Sequence, residues 1–256
     1  MISTGFIDLS LDSINSYEKL YELAVVIPVY NESENIEQVL TEWDIKFKSL
    51  KINYCFIIIN DGSTDSSLAK LHNATFPKFI INKNNSGHGR SLRFGYDFAL
   101  KKIKVDYIFQ IDSDGQCMPK FFDRFWQERN DFDFLIGQRT KRGDGIIRLI
   151  ISKISTILSS LVLGINIHDA NTPYRLFTKN CLSEIVNEVY ESFDLQNIAI
   201  TYIAYKKQHK ILRIPIEFAD RTAGNTIFSG SSNNINLLKV FKIGMGMLID
   251  LIYLRK

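Results

Sequence analysis

The chain has 256 residues, with 31 Lys and Arg against 28 Asp and Glu and a formal net charge of +3. That length supports one large α/β core. A charge this small does not argue for nucleic-acid binding, and with no RNA- or DNA-module signature and no dense basic-aromatic patch no nucleic-acid partner is expected. Cys55, Cys117 and Cys181 are scattered, odd in number and without zinc-like spacing, so they read as packing residues of a protein kept in a reducing compartment.

Met1 to Ser16 contains acids and lacks a basic stretch leading into an apolar one, so no secretory leader is visible. Residues 1–21 are expected as an arm or surface helix ahead of the first strand. Leu23–Val29 reads as a buried strand running into the polar loop Tyr30-Asn31-Glu32. Cys55–Ile59 repeats that plan and runs into Asn60-Asp61-Gly62-Ser63-Thr64-Asp65. Asp61 can accept hydrogen bonds from a ligand, or close an Asx turn; Ser63 and Asp65 are available as helix caps, which favours ligand contact for Asp61. Asn84–Arg90 is a third polar loop before a helix. Its Gly87 and Gly89 permit close backbone approach to a ligand, and the absence of a following Gly-Lys-Ser/Thr excludes a P-loop. Arg90 and Arg93 read as a solvated helix face.

The run Tyr107–Ile111 ends in Asp112-Ser113-Asp114-Gly115-Gln116. Two carboxylates two residues apart at a strand end repel each other and are costly to desolvate. A divalent cation, Mg2+ or Mn2+, removes that cost, with Asp114 as first ligand, Asp112 beside it, and the carbonyl oxygen of Gln116 as a third. A solvated turn is the alternative. All four loops fall where an open α/β sheet binds ligands, beyond the carboxyl ends of its strands.

Further on, Ile146 to Ile167 is apolar but interrupted by Arg148 and Lys153, too short to span a bilayer and expected as a helix packed on the domain. Asp194 is either the N-cap of a helix through Ile203 or an acid of the site. Gly224–Asn234 reads as a linker. In Asn236–Lys256 a narrow stripe of Lys239, Lys242, Gly246 and Asp250 faces Leu237, Leu238, Phe241, Met245, Leu248, Ile249 and Ile252. An interfacial helix fits that pattern; burial against the domain or a partner subunit of a homo-oligomer is the alternative. His88 and His168 have no metal-ligand spacing.

Val26–Glu32, Asn60–Asp65, Asn85–Gly89 and Asp112–Gln116, in that order, resemble the family 2 glycosyltransferases of GT-A fold. Gly137–Arg142, Asp169–Phe177 and Phe218–Arg221 are similar to the branch that transfers sugars to dolichyl or undecaprenyl phosphate. The resemblance runs from about Glu22 to Arg221. It implies a GT-A domain over 22–223, a Rossmann-like and mostly parallel sheet flanked by helices, with 224–256 as linker and amphipathic helix. Two departures are the lack of the membrane helices some members append and Asn60 in place of a first Asp.

The implied activity is inverting transfer from a UDP- or GDP-linked sugar to a polyprenyl phosphate, by a protein held peripherally on the inner, cytosolic face of a membrane. Pro28 and Tyr30 would lie along the base, with Glu32 as the family's acid in that loop. Arg139, Arg142, Arg175 and Arg221 suit the leaving diphosphate, because guanidinium groups bind phosphate in bidentate fashion. Asp169 would act as a base or orient Arg175 and the acceptor, with Asp194 the competing base. The rivals are transfer to a hydroxyl of a cell-surface glycan and a catalytically silent nucleotide-sugar-binding protein; intact Asp112, Asp114, Arg139 and Arg175 argue against the latter.

Overall fold

The computed structural model describes residues 5–7, 17–141, 160, 162–164, 169, 171–191 and 193–219. Leu23–Val29 and Tyr54–Asn60 are buried along their whole length, the signature of strands inside a parallel sheet covered on both faces. The strands are β1 (Gly5–Ile7), β2 (Tyr17–Val29), β3 (Tyr54–Asn60), β4 (Lys78–Asn82), β5 (Ile103–Gln110), β6 (Phe134–Lys141), β7 (Arg175–Thr178) and β8 (Ile211–Glu217). The helices are α1 (Ile36–Ser49), α2 (Ser67–Asn73), α3 (His88–Lys102), α4 (Phe122–Glu128), α5 (Lys179–Val186) and α6 (Gln196–Lys206).

The eight strands form one sheet in the order β1-β4-β3-β2-β5-β7-β6-β8. Every neighbouring pair is parallel except the two that β7 makes with β5 and β6. The period-2 alternation of a strand sorts its residues between two cores. Ala24, Val26, Cys55, Ile57 and Ile59 face one core with α3, α5 and α6. Leu23, Val25, Ile27, Phe56 and Ile58 face the other with α1 and α4. There the indole of Trp43 packs 5.2 Å from Phe109, 5.7 Å from Phe122 and 5.8 Å from Tyr174, between ring centroids. This is the expected GT-A layering of helices on both faces of a mostly parallel sheet.

The chain moves from β2 outward through β3 to β4, then returns to place β5 on the other side of β2. The strand order therefore reverses between β2 and β5, and in such sheets the crevice at that reversal receives ligands. The last β2–β5 pair is Val26↔Gln110. Pro28 lies beyond it, where its missing N–H removes no bond to β5, and the two strands part.

Two described parts of 1–21 are strands. Gly5–Ile7 pairs in parallel with β4, and β2 begins at Tyr17 because β5 extends far enough to pair with it, through an irregularity between Tyr17 and Leu20. Of the apolar segment 146–167, only Ser160 and residues 162–164 are described, with Leu163 in the α3 core. The linker and amphipathic helix expected over 224–256 lie outside the described residues. Among the described residues, no helix is long and apolar enough to cross a membrane. All three cysteines are buried in the cores.

Candidate active site

Four loops meet at the carboxyl edge of the sheet, and their own side chains tie them together. Asn31, with a left-handed φ of 55°, donates its N–H to Ser63 Oγ (3.0 Å) and accepts from the Thr64 N–H at Oδ1 (2.8 Å). Asp65 accepts from the Ser33 N–H (3.0 Å) and from the Ser67 N–H (2.9 Å), so it joins the neighbouring loop to the first residue of α2, whose N-cap is Ser66. Glu32 is turned inward. Its Oε2 accepts from Asn35 Nδ2 (2.7 Å) and its N–H donates to Ser67 Oγ (2.9 Å), which makes it a brace of the loop. Pro28 is buried in β2, whereas Tyr30 is 49% exposed at the mouth of the crevice.

Asp61, read from the sequence as a ligand contact, is buried and engaged by internal donors. Oδ1 accepts from the Ser86 N–H (2.9 Å) and Lys83 Nζ, and Oδ2 from the Gly87 N–H (2.9 Å). The carboxylate thus fixes the turn into α3, where Gly87 has φ 98°, a conformation that favours glycine. Asn60, the departure from an Asp, donates Nδ2 to Asn82 Oδ1 (2.6 Å), a bond that a carboxylate could not make.

Gly89 has a different partner from the one expected. A Cβ there would stand 2.3 Å from the Asp194 carbonyl oxygen. The close approach that glycine allows is between α3 and the Asp194 backbone. The Asp194 carboxylate is 73% exposed, 3.8 Å from Arg90 Nε. It caps no helix, since α6 has Leu195 at its N-cap and no side-chain cap bond. Arg93 is not on a solvated face: it is buried, donating Nε to Asp97 (2.8 Å) and Nη1 to the Val189 carbonyl.

Asp112 and Asp114 stand at the end of β5, beside the strand reversal. Asp112 is one-third exposed, and its Oδ1 lies 3.2 Å from His88 Nε2. Asp114 Oδ1 accepts from the Gln116 N–H (3.2 Å). Gln116 joins this loop to the strand edge: its backbone carbonyl accepts from the Ala219 N–H (3.1 Å) and its Nε2 donates to the Ala219 carbonyl (3.2 Å). Among the described residues, no group of three or more His, Cys, Asp or Glu could hold a metal by itself. Two hard carboxylates in a partly open loop therefore fit a divalent cation that takes its remaining oxygens from a bound diphosphate and water. Burial, with Asp112 and Asp114 close by, raises the Cys117 thiol well above its ordinary range, so it remains a neutral packing group.

The arginines divide into two kinds. Arg139, on β6, makes a two-edged clamp with Asp169: Nε lies 2.8 Å from Oδ2, Nη2 lies 2.5 Å from Oδ1, and the Arg139 N–H donates to Oδ2 (3.0 Å). Its guanidinium also lies 5.0 Å from the Phe218 ring centroid. Asp169, held at φ 43°, thus orients Arg139 by direct hydrogen bonds. Arg175, expected as a phosphate ligand, is turned into the fold. It is 0% exposed, donating Nε to the Thr172 carbonyl (2.6 Å) and Nη1 to Thr201 Oγ1 (2.8 Å). Burial lowers its pKa to about 10. It starts the reversed strand opposite Gln110, directly beneath the site. Arg142 and Arg221 lie outside the described residues.

The family model for glycosyl transferase family 2 matches residues 24–186. The chain belongs to that family. It is a glycosyltransferase, and the crevice between β2 and β5 lies within the matched span. Among curated proteins, polyprenol monophosphomannose synthase of Mycolicibacterium smegmatis is 25% identical, over 88% of this chain and 88% of its own. Undecaprenyl-phosphate 4-deoxy-4-formamido-L-arabinose transferase of Proteus mirabilis is 24% identical over 84% of this chain, which spans 65% of that enzyme's length. Among solved structures, glucosyl-3-phosphoglycerate synthase of Mycobacterium tuberculosis, in complex with Mn2+, UDP-glucose and phosphoglyceric acid, superposes with a TM-score of 0.61 at 15% identity. It covers 92% of this chain and 79% of that one, a likeness of GT-A fold.

Three residues of the neighbourhood were given no role by sequence reasoning: His88 beside Asp112, Thr201 under Arg175, and Phe218 under Arg139. His88 and Phe218 carried a signal, the one inside the Asn85–Gly89 motif and the other as the first residue of the Phe-Ala-Asp-Arg motif. Thr201 arrives from a distant helix, with nothing local to mark it.

Proposed function

We propose that this glycosyltransferase moves a sugar from a nucleotide-sugar donor to a polyprenyl phosphate, with Mg2+ or Mn2+ and with inversion at the anomeric carbon. The observation that carries this is the match to a polyprenol monophosphomannose synthase over 88% of both chains. Work at the inner face of a membrane, through the segment 224–256, belongs to the same reading.

Asp112 and Asp114, with an oxygen of Gln116, would hold the cation against the donor diphosphate, and Asp112 would also meet the ribose. The cation supplies neutralisation of the charge that builds on the leaving diphosphate. Tyr30, exposed at the mouth, gives the base a face to lie on. Asp61, Gly87 and Glu32 serve the donor indirectly, by fixing the loops on which it rests. Arg139, aligned by Asp169, would meet the charge that builds on the leaving diphosphate, and Arg142 and Arg221 are the further phosphate-binding cations of this reading.

A phosphate oxygen of the acceptor is already anionic at neutral pH. It attacks the anomeric carbon as the bond to the diphosphate breaks, and no proton has to be removed. One observation favours a second reading: the exposed Asp194 carboxylate, close to the start of α3, could serve as the base that a hydroxyl acceptor requires.

The test is purified protein with Mn2+ or Mg2+, a panel of UDP- and GDP-sugars, and a short-chain polyprenyl phosphate. Transfer from one donor class, abolished by EDTA, is expected. Donor hydrolysis or inertness with every lipid phosphate, beside transfer to a saccharide, would favour the second reading.

A further inference from the structure

A carboxylate that serves a cation through one oxygen needs its other oxygen held, or it rotates out of position. Asp112 Oδ1 has such a holder within reach, His88 Nε2 at 3.2 Å. The start of α3 that carries His88 is fixed from several directions. The Ser86 and Gly87 N–H groups donate to opposite oxygens of Asp61 at 2.9 Å, and Gly89 abuts the Asp194 backbone. The Asp112 end is fixed as well, by the Ile111 N–H on the Val26 carbonyl at 3.3 Å. Two anchored backbones thus bring the imidazole and the carboxylate together. We infer that His88 is a positioning residue of the donor site, donating from Nε2 to one oxygen of Asp112 so that the other faces the cation and diphosphate. A neutral imidazole suits the task, because it donates without placing a second positive charge beside the cation.

The inference rests on the metal-dependent reading of donor binding, and the test keeps the two apart. Mn2+ binding is followed by the loss of the free-ion electron paramagnetic resonance signal, with UDP or GDP present, for wild type, His88→Ala and His88→Gln. Nucleotide binding in EDTA and thermal unfolding are measured beside it. The expected result for His88→Ala is Mn2+ affinity weaker by about tenfold or more, with nucleotide affinity in EDTA and the melting temperature unchanged. His88→Gln, whose amide nitrogen can donate to Asp112, should recover most of the loss. Wild-type Mn2+ affinity in His88→Ala overturns the role. A loss of equal size in EDTA overturns it in favour of direct phosphate contact, and failure of Gln to recover any affinity overturns it in favour of direct metal ligation. If wild type itself binds nucleotide equally with Mn2+ and with EDTA, the metal reading falls and this role falls with it.

Discussion

Arg175→Lys keeps the charge and tests what the guanidinium does. In the fold, Nε and Nη1 reach two acceptors in different directions, the Thr172 carbonyl at 2.6 Å and Thr201 Oγ1 at 2.8 Å, and the group lies 5.6 Å from the Phe134 ring centroid. A single ammonium cannot satisfy both acceptors along those lines. One lost bond from a charged donor, with its buried acceptor left without that donor, costs about 1.5–3 kcal/mol. Lost packing of the planar group brings the total to about 3 kcal/mol. For a domain of this size, about 2–4 °C is lost per kcal/mol, so the midpoint should fall by about 6–12 °C. Thermal and urea unfolding of the variant, with nucleoside diphosphate binding measured well below the midpoint, is the assay. The expected variant is less stable and still binds the nucleotide. A variant that melts like wild type but has lost diphosphate affinity would show that Arg175 meets the phosphate, and the buried-strut account would be wrong.

Gly89→Ala places a methyl group 2.3 Å from the Asp194 carbonyl oxygen. The two backbones must part by about 1 Å, a loss of about 1–3 kcal/mol on overpacking grounds, readable in urea unfolding. Asp114→Ala should fold normally and lose turnover, and nucleoside diphosphate should bind wild type more tightly with Mn2+ than with EDTA; equal affinities would remove the metal role. Asp169→Asn weakens the clamp on Arg139, so its rate on polyprenyl phosphate should fall at every pH without a new acidic limb. Asp194→Asn should keep most of its activity on a phosphate acceptor. A loss of roughly a hundredfold there, with fold and donor binding intact, would point to a hydroxyl acceptor and a carboxylate base.

The sheet and the place of the site were legible because both are written in local patterns. Buried strands announce themselves as apolar runs, and Asp112 and Asp114 mark where one of them ends. The arginines were harder to read. Sequence distinguishes neither an Arg that meets a ligand from one that braces a core, nor which of two arginines an Asp will choose. Asp169 lies nearer to Arg175 in sequence, yet it pairs with Arg139, because β6 and the 169–172 turn come together beyond the paired strands. Asp61 and Gly89 look like ligand contacts for the same reason: their partners, Lys83, Ser86 and the Asp194 backbone, are brought to them by tertiary packing. Residues 1–21 gave no strong strand pattern, and Gly5–Ile7 finds its place at the sheet edge through pairing with β4.

The acceptor is the centre of the functional account, and one comparison tests it most directly. With the preferred labelled nucleotide sugar and Mn2+, the enzyme is offered a short-chain polyprenyl phosphate and, in parallel, the polyprenol of the same chain length. The two differ only in whether the attacking oxygen is already anionic. Labelled lipid is predicted with the phosphate and none with the alcohol, at a rate that Asp194→Asn leaves largely intact. Equal transfer to the alcohol, or transfer to a saccharide hydroxyl in preference to both lipids, would contradict the account.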